Sequence, residues 1–212
     1  MVYGTHAETT EAAEALRAMP RLFVAVPLAE DARRVVADLV DDVRSEVDGG
    51  FQPRMAVRWV RMDGLHLTLR FLGPTATPQV DAVEAAIDAA AAGVVPFDVS
   101  IGGAGAFPSP ARPRTLWLGL DEGQVQLERL AAELDQRLAG AGWPPVERPF
   151  RAHLTLARAD GRRAGPATAA ALIRRAATFK AAFAADRLVL FESLTGGGPA
   201  RYVAHHEALL GR

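Results

Sequence analysis

Apolar and polar positions follow two different periods along this chain, and the changes of period mark its elements. Residues 21–27 are apolar almost throughout, which predicts a buried strand. Valines and leucines at helical spacing predict a helix over 28–48, ended by Gly49-Gly50. The same patterns predict strands at 57–60, 65–72, 97–102, 114–120, 150–157, 188–194 and 202–209, and helices that begin at Thr77, at residue 122 and at Pro166.

The order of these elements indicates the fold class. Adjacent strand pairs are mixed with strand–helix alternation, which predicts an α+β protein with largely antiparallel sheets. Residues 1–20 are left outside the core as an N-terminal extension, either a short helix or a loose segment. We expect residues 21–212 to form a single bilobal domain.

A repeated tetrapeptide supports the bilobal arrangement. His-Leu-Thr-Leu occurs at 66–69 and again at 153–156, an offset of 87 residues. A random order of this composition would contain about 0.003 copies, so the repeat is not an accident of composition. The offset is too long for a solenoid repeat and fits a duplicated lobe. We expect two pseudo-symmetric lobes of antiparallel sheet with outer helices and a central cleft that carries both motifs.

Composition narrows the classes of function. The 212 residues carry a formal net charge of −1, which excludes a bulk cationic surface for long nucleic acids but leaves room for a local patch. The absence of cysteine excludes disulfides, thiolate zinc sites and cysteine nucleophiles. The first 20 residues do not resemble a signal peptide, and no apolar run could span a membrane. We therefore expect a cytoplasmic protein without membrane contact.

The repeated motif carries the candidate chemistry. Side chains alternate along a strand, so His66 and Thr68 share one face, as do His153 and Thr155. If the lobes are related by a two-fold axis, two imidazoles and two hydroxyls meet in one cleft. This set offers an acid, a base and two neutral donors, which suits a phosphodiester substrate. The alternatives are half-buried structural His/Thr pairs and a zinc site, although neither motif has a third ligand beside it.

Arginines lie near both motifs and one aromatic lies upstream. Windows 49–80 and 143–163 each carry a net charge of +3. Arg70 lies four residues after His66, and residues an even number of positions apart share one face of a regular strand. This spacing predicts that Arg70 faces the cleft. Arg158 has the opposite parity to His153 and reaches the cleft only if the strand ends or bulges near Ala157. Phe23 could stack a nucleobase, although an aromatic in an apolar strand more often belongs to the core.

Two segments resemble the signature motifs of the two-histidine phosphoesterase superfamily, HLTLRFLG at 66–73 and RPFRAHLTLAR at 148–158. The resemblance is strongest to its RNA 2′,3′-cyclic phosphodiesterase family, also called 2′-5′ RNA ligase-like. RLFVAV at 21–26, FPSPARPRTLWLGL at 107–120 and LFESLTGGGPARY at 190–202 resemble its opening strand, middle strand pair and closing hairpin. The resemblance implies a bilobal α+β fold and hydrolysis of a 2′,3′-cyclic phosphate to a 2′-phosphomonoester, without metal or cofactor.

The resemblance also implies roles for individual residues. His66 matches the proton donor and His153 the proton acceptor, although two nearly symmetric motifs leave this assignment open from sequence alone. Thr68 and Thr155 match phosphate-contacting threonines, and Arg158 matches the arginine that closes the second motif. The implied partners are RNA ends or small nucleotides with a 2′,3′-cyclic phosphate, and no obligate protein partner is evident. One alternative is 2′-5′ RNA ligation. The other is a non-catalytic RNA-end binding module, and the intact histidines and threonines argue against that module because binding alone does not need two imidazoles.

Overall fold

The computed structural model describes residues 19–48, 57–162, 164–194, 196 and 198–212. Almost all of the expected N-terminal extension, and the Gly49-Gly50 helix end, lie outside these residues. The strands are β1 (Arg21–Pro27), β2 (Val57–Trp59), β3 (His66–Pro74), β4 (Phe97–Phe107), β5 (Thr115–Glu122), β6 (Leu154–Ala159), β7 (Ala181–Ala185), β8 (Arg187–Leu194) and β9 (Arg201–Leu209). The helices are α1 (Glu30–Asp48), α2 (Thr77–Ala92), α3 (Gln124–Gly140) and α4 (Ala164–Ala176), with a 3-10 turn at Met62–Gly64.

The strands form two antiparallel sheets that repeat one topology. Sheet 1 has the order β3-β1-β8-β9, and sheet 2 has the order β2-β6-β5-β4-β7. Strands β6, β5, β4 and β7 correspond in order to β3, β1, β8 and β9, with the two HLTL segments in β3 and at the start of β6. Only β2, at the edge of sheet 2, has no counterpart in sheet 1 among the described residues. The predicted α+β class with two pseudo-symmetric lobes is confirmed.

The helices are exchanged between the lobes. Helix α1 follows β1 of sheet 1 but packs with α4 on sheet 2, whereas α3 follows β5 of sheet 2 but packs with α2 on sheet 1. Each sheet is therefore covered by one helix from either half of the chain. No helix in the described residues is long and apolar enough to cross a membrane.

The leucines of both HLTL segments belong to the core. Leu67, Leu154 and Leu156 are fully buried, and Leu69 is 7% exposed. Burial of one such side chain stabilises the fold by about 1.5–3 kcal/mol. Because the helices cover the leucine face, the His/Thr face of each strand is left for the space between the sheets.

Two parts of sheet 2 differ from the sequence prediction. Strand β4 continues to Phe107, although its glycines predicted a loop from residue 102. A Cβ atom at Gly105 would lie 2.3 Å from the Trp117 ring, so glycine is required where the indole crosses the strand. Strand β7 was missed because its five residues, mostly alanine, favour a helix, whereas pairing with β4 at the sheet edge makes them a strand.

Candidate active site

A β-bulge interrupts the first HLTL strand. Ala25 pairs with Thr68 and Val24 with Arg70, so Leu69 is an extra residue without a partner on β1. An extra residue shifts the alternation of side chains by one position. After the bulge, side chains that a regular alternation would direct to the cleft are directed instead to the helix face of the sheet.

This bulge reverses the expected direction of Arg70. Its side chain is 8% exposed, and its Nη1 lies 3.1 Å from the Asp135 carboxylate of α3. It also donates a hydrogen bond to the carbonyl oxygen of Pro144. The prediction that Arg70 faces the cleft is therefore wrong, because parity does not hold across Leu69.

A matching bulge in β6 brings Arg158 into the cleft. Trp117 pairs with Thr155 and Leu116 with Ala157, so Leu156 is the extra residue. Arg158 then lines the cavity between the sheets. The sequence predicted that Arg158 reaches the cleft only if the strand ends or bulges near Ala157, and the structure has that bulge.

Arg158 is held in that position by a neighbouring strand. Its Nη1 donates a hydrogen bond to the Thr115 hydroxyl at 2.5 Å. Thr115 is buried and faces Arg158 across the β5–β6 pair. The guanidinium group therefore enters the cleft with one of its donors already satisfied and the others available.

His66 is oriented by one hydrogen bond and a group of aromatic rings. Its Nδ1 donates to the Gly64 carbonyl at 2.7 Å, which leaves Nε2 available. The Phe23 ring lies 4.8 Å away between centroids, and the Tyr202 ring lies nearly perpendicular to the imidazole at 5.0 Å. Burial lowers the pKa of His66, and the Gly64 carbonyl partly opposes this effect. The imidazole is consequently neutral at pH 7 in the free protein.

His153 has the same orientation in the other lobe. Its Nδ1 donates to the Arg151 carbonyl at 2.7 Å, so its Nε2 is also available. The Phe107 and Trp117 rings lie 5.2 and 6.5 Å away. Burial lowers the pKa of His153, the Arg151 carbonyl opposes this, and the positive charges of Arg158 and Arg151 lower it further. His153 thus has cations nearby that favour its neutral form.

The two histidines share one large cleft. A cavity of 2020 Å³ is lined by His66, His153, Thr68 and Thr155, and both threonines are half-buried. This volume exceeds the roughly 300–1,000 Å³ of a typical small-molecule pocket. Among the described residues, Glu128 is the one carboxylate in the lining, whereas six arginines line the cavity. The six are Arg21, Arg58, Arg114, Arg148, Arg151 and Arg158. The cleft is therefore suited to an anion larger than a single phosphate.

Phe23 does not have the exposure that stacking on a nucleobase needs. Only 2% of the residue is accessible, because His66, Phe71, Phe191 and Tyr202 cover it. Phe23 instead packs against the His66 ring at the wall of the cleft. The expectation that it binds substrate is corrected accordingly.

Several side chains of the cleft carry no signal in the sequence that connects them with the two motifs. Phe71, which is 69% exposed, follows the first bulge and could have been found only by anticipating that bulge. Tyr202 comes from β9, the far edge strand of sheet 1, and no local motif connects it with His66. Across the described residues, no group of three or more His, Asp or Glu is placed to hold a metal ion.

Comparisons with known proteins show which family this chain belongs to. A family model described as the 2′-5′ RNA ligase superfamily matches residues 35–197. A protein of Aeropyrum pernix named RNA 2′,3′-cyclic phosphodiesterase is 36% identical over 111 residues, which cover 52% of this chain and 62% of that protein, less than two thirds of its length. One of the same name from Methanothermobacter thermautotrophicus is 33% identical over 143 residues, which cover 68% of this chain and 73% of that protein.

Solved structures share the fold over nearly the whole chain. Escherichia coli LigT complexed with 3′-AMP has a TM-score of 0.66 and 26% identity, with 92% of this chain and 99% of that chain covered. A protein of Thermus thermophilus has a TM-score of 0.70 and 24% identity, with 90% and 98% covered.

Proposed function

This chain belongs to the 2′-5′ RNA ligase superfamily, and from that premise we propose that it hydrolyses RNA or nucleotide 2′,3′-cyclic phosphates to 2′-phosphomonoesters without a metal ion. The observation that carries the proposal is the pair of equivalent hydrogen bonds that leave the Nε2 atoms of His66 and His153 available in one cleft. The names of the relatives and the 3′-AMP complex of LigT support the substrate class.

The reaction needs one proton acceptor and one proton donor. His153 Nε2 takes a proton from water as its oxygen attacks phosphorus, and His66 Nε2 gives a proton to the 3′ oxygen as the P–O3′ bond breaks. The phosphate stays on the 2′ oxygen. Arg158 and Arg151 favour neutral His153, which supports its role as acceptor. His66 becomes the donor when the bound phosphate anion stabilises its protonated form.

The remaining cleft groups bind the phosphate oxygens. Thr68 and Thr155 lie two residues after their histidines on the same strand face, where their hydroxyls can donate to the non-bridging oxygens. Arg158 adds a charged donor that strengthens as negative charge grows in the transition state. These are the roles that the resemblance of the two motifs implied.

The direct test is incubation with a short RNA that ends in a 2′,3′-cyclic phosphate, with the product isomer identified by phosphorus NMR. We expect a 2′-phosphate from the wild-type protein and none from His153→Gln. A 3′-phosphate product would reverse the leaving group and overturn the placement of the substrate.

Metal independence has its own test. Activity is expected to persist after exhaustive treatment with a chelator, because the two imidazoles supply both proton transfers. Loss of activity on chelation, with recovery on addition of zinc or manganese, would contradict this part of the proposal.

The family description favours a second candidate reaction, 2′-5′ ligation. A 5′-hydroxyl of another RNA would replace water as the nucleophile and would lose its proton to the same base. Hydrolysis dominates in dilute RNA because water is far more abundant. Addition of a 5′-hydroxyl RNA at high concentration tests ligation by the appearance of a joined product, whereas binding without any turnover would indicate a non-catalytic RNA-end binding module.

A further inference from the structure

Strand β2 is the one strand of the described sheets without a pseudo-symmetric counterpart. It pairs with β6 at the edge of sheet 2, directly beside the second histidine motif. Its central residue, Arg58, lies opposite Arg158 in the antiparallel register. Among the described residues, the cleft therefore has this additional cationic position beside the second histidine motif and no counterpart of it beside the first.

The pairing of these two arginines is unfavourable in the free protein. Residues directly opposite on antiparallel strands have their Cβ atoms about 5 Å apart, and like charges there are destabilising. Among the ion pairs of the described residues, none includes Arg58 or Arg158. Both side chains are exposed and both line the cavity. A bound anion would relieve their repulsion.

The neighbours of Arg58 explain why it faces the cleft. Val57 and Trp59 pack against the hydrophobic core, and the Arg44 guanidinium of α1 lies 5.2 Å from the centre of the Trp59 ring. Because side chains alternate along a strand, anchoring these two residues turns Arg58 to the opposite face, beside Arg158.

We infer that Arg58 forms a second phosphate subsite, which binds the phosphodiester next to the terminal cyclic phosphate of an RNA chain. The inference rests on the proposed function and narrows its substrate class to oligoribonucleotides in preference to mononucleotides. Arg158, held by Thr115 near His153, binds the reacting phosphate. Arg58 projects from the next strand, about 4.8 Å further along the sheet, where a neighbouring phosphate of the same chain can be bound.

The competing explanation is protection of a sheet edge. Charged side chains on an edge strand prevent pairing with another chain, and this role needs no ligand. It predicts that substitution of Arg58 affects association or solubility but not the discrimination between substrates.

The test compares kcat/KM for a nucleoside 2′,3′-cyclic phosphate with that for a four-nucleotide RNA ending in the same group. Arg58→Gln is expected to lower kcat/KM for the tetramer by about ten- to a hundredfold, the usual effect of losing a charged hydrogen bond, and to leave the mononucleotide unchanged. Arg58→Lys should retain part of the preference. The matched control is Arg129→Gln, an exposed arginine of α3 outside the cleft lining, which should change neither substrate.

A chemical substitution in the RNA isolates the same contact. A tetramer with a neutral methylphosphonate at the adjoining linkage should lose activity with the wild-type protein, and Arg58→Gln should cause no further loss on it. The slope of log affinity against log salt should fall by about one in Arg58→Gln for the unmodified tetramer.

Two results would overturn the inference: equal loss on both substrates, which places Arg58 at the reacting phosphate, and no loss on either, which leaves only edge protection. Equilibrium binding of both tetramers, each ending in a 2′-phosphate, is measured alongside. If the protein hydrolyses no cyclic phosphate, the proposed function fails. The binding difference between the tetramers still decides whether Arg58 recognises the adjoining phosphate.

Discussion

Phe71 and Arg158 occupy equivalent positions in the two lobes. Each lies five residues after the histidine of its motif, and each reaches the cleft because a bulge, at Leu69 or at Leu156, shifts the strand by one residue. The two HLTL segments are identical, yet one wall of the cleft ends in an apolar ring and the other in a cation. This asymmetry distinguishes the two lobes for an anionic substrate.

Replacement of Arg158 should weaken transition-state binding. Arg158→Ala is expected to lower kcat/KM by about ten- to a hundredfold, because a guanidinium bound to phosphate is worth roughly 1.5–3 kcal/mol. Arg158→Lys should recover only part of this, since it keeps the charge but loses the planar pair of donors. Steady-state kinetics of both variants provide the check, and wild-type values in Arg158→Ala would mean that the side chain does not contact the substrate.

The histidines should act as a unit. His66→Ala and His153→Ala are each expected to lower kcat by about 10²–10⁴-fold, the usual contribution of general acid or base catalysis. The double variant should lose less than the product of the two single losses, because both groups act in one transition state. Circular dichroism of each variant is the control for folding, and full activity in either single variant would rule out the two-histidine mechanism.

The pH dependence of kcat/KM should report the environment of His153. Burial lowers its pKa, so the acid limb is expected below the ordinary histidine value of about 6.5. Arg158 also lowers this pKa, and its removal in Arg158→Ala should therefore move the acid limb to higher pH. A pH–rate series on wild type and variant measures the shift. A limb that stays in place or moves to lower pH would contradict His153 as the base.

The Arg70–Asp135 ion pair should contribute to stability, because removal of one partner leaves the other charge buried and unpaired. Arg70→Met leaves a largely buried carboxylate unpaired and is expected to lower the free energy of unfolding by about 3 kcal/mol. Arg70→Met combined with Asp135→Leu removes both charges and should restore most of the loss. Urea unfolding of the two variants tests this, and equal stability of the single and double variants would refute it.

Gly64 should be intolerant of a side chain. A Cβ atom there would lie 2.8 Å from the Tyr202 ring, which is too close. The backbone of residue 64 would have to shift, and its carbonyl, which accepts the hydrogen bond from His66, would move with it. Gly64→Ala is expected to lower kcat without unfolding the protein, and Gly64→Ala with Tyr202→Ala should recover part of the loss. Gly93→Ala is the matched control, because no atom of the described residues beyond its own chain neighbours lies within 4 Å of the added Cβ. Wild-type kcat in Gly64→Ala would show that the carbonyl can move without effect.

Local patterns in the sequence were sufficient for most elements and for the two histidine motifs. Apolar periodicity located β1, α1 and α3, because each buries one face or both against the core. The HLTL repeat was recognisable because a strand with leucines on one face and His/Thr on the other needs only four residues to express its pattern.

Contacts between distant segments decided the rest. Parity assigned Arg70 to the cleft, whereas pairing with β1 produced the bulge that turned it towards Asp135, and pairing of β6 with β5 brought Arg158 in. The alanines of β7 became a strand only by pairing with β4, which lies far away in the sequence. The glycines of β4 became part of a strand by pairing with β5 in the adjoining hairpin. A side chain's direction after a bulge depends on the register of its partner strand. For that reason the sequence by itself determined the chemistry of the two motifs, and only the tertiary structure decided which side chains surround them.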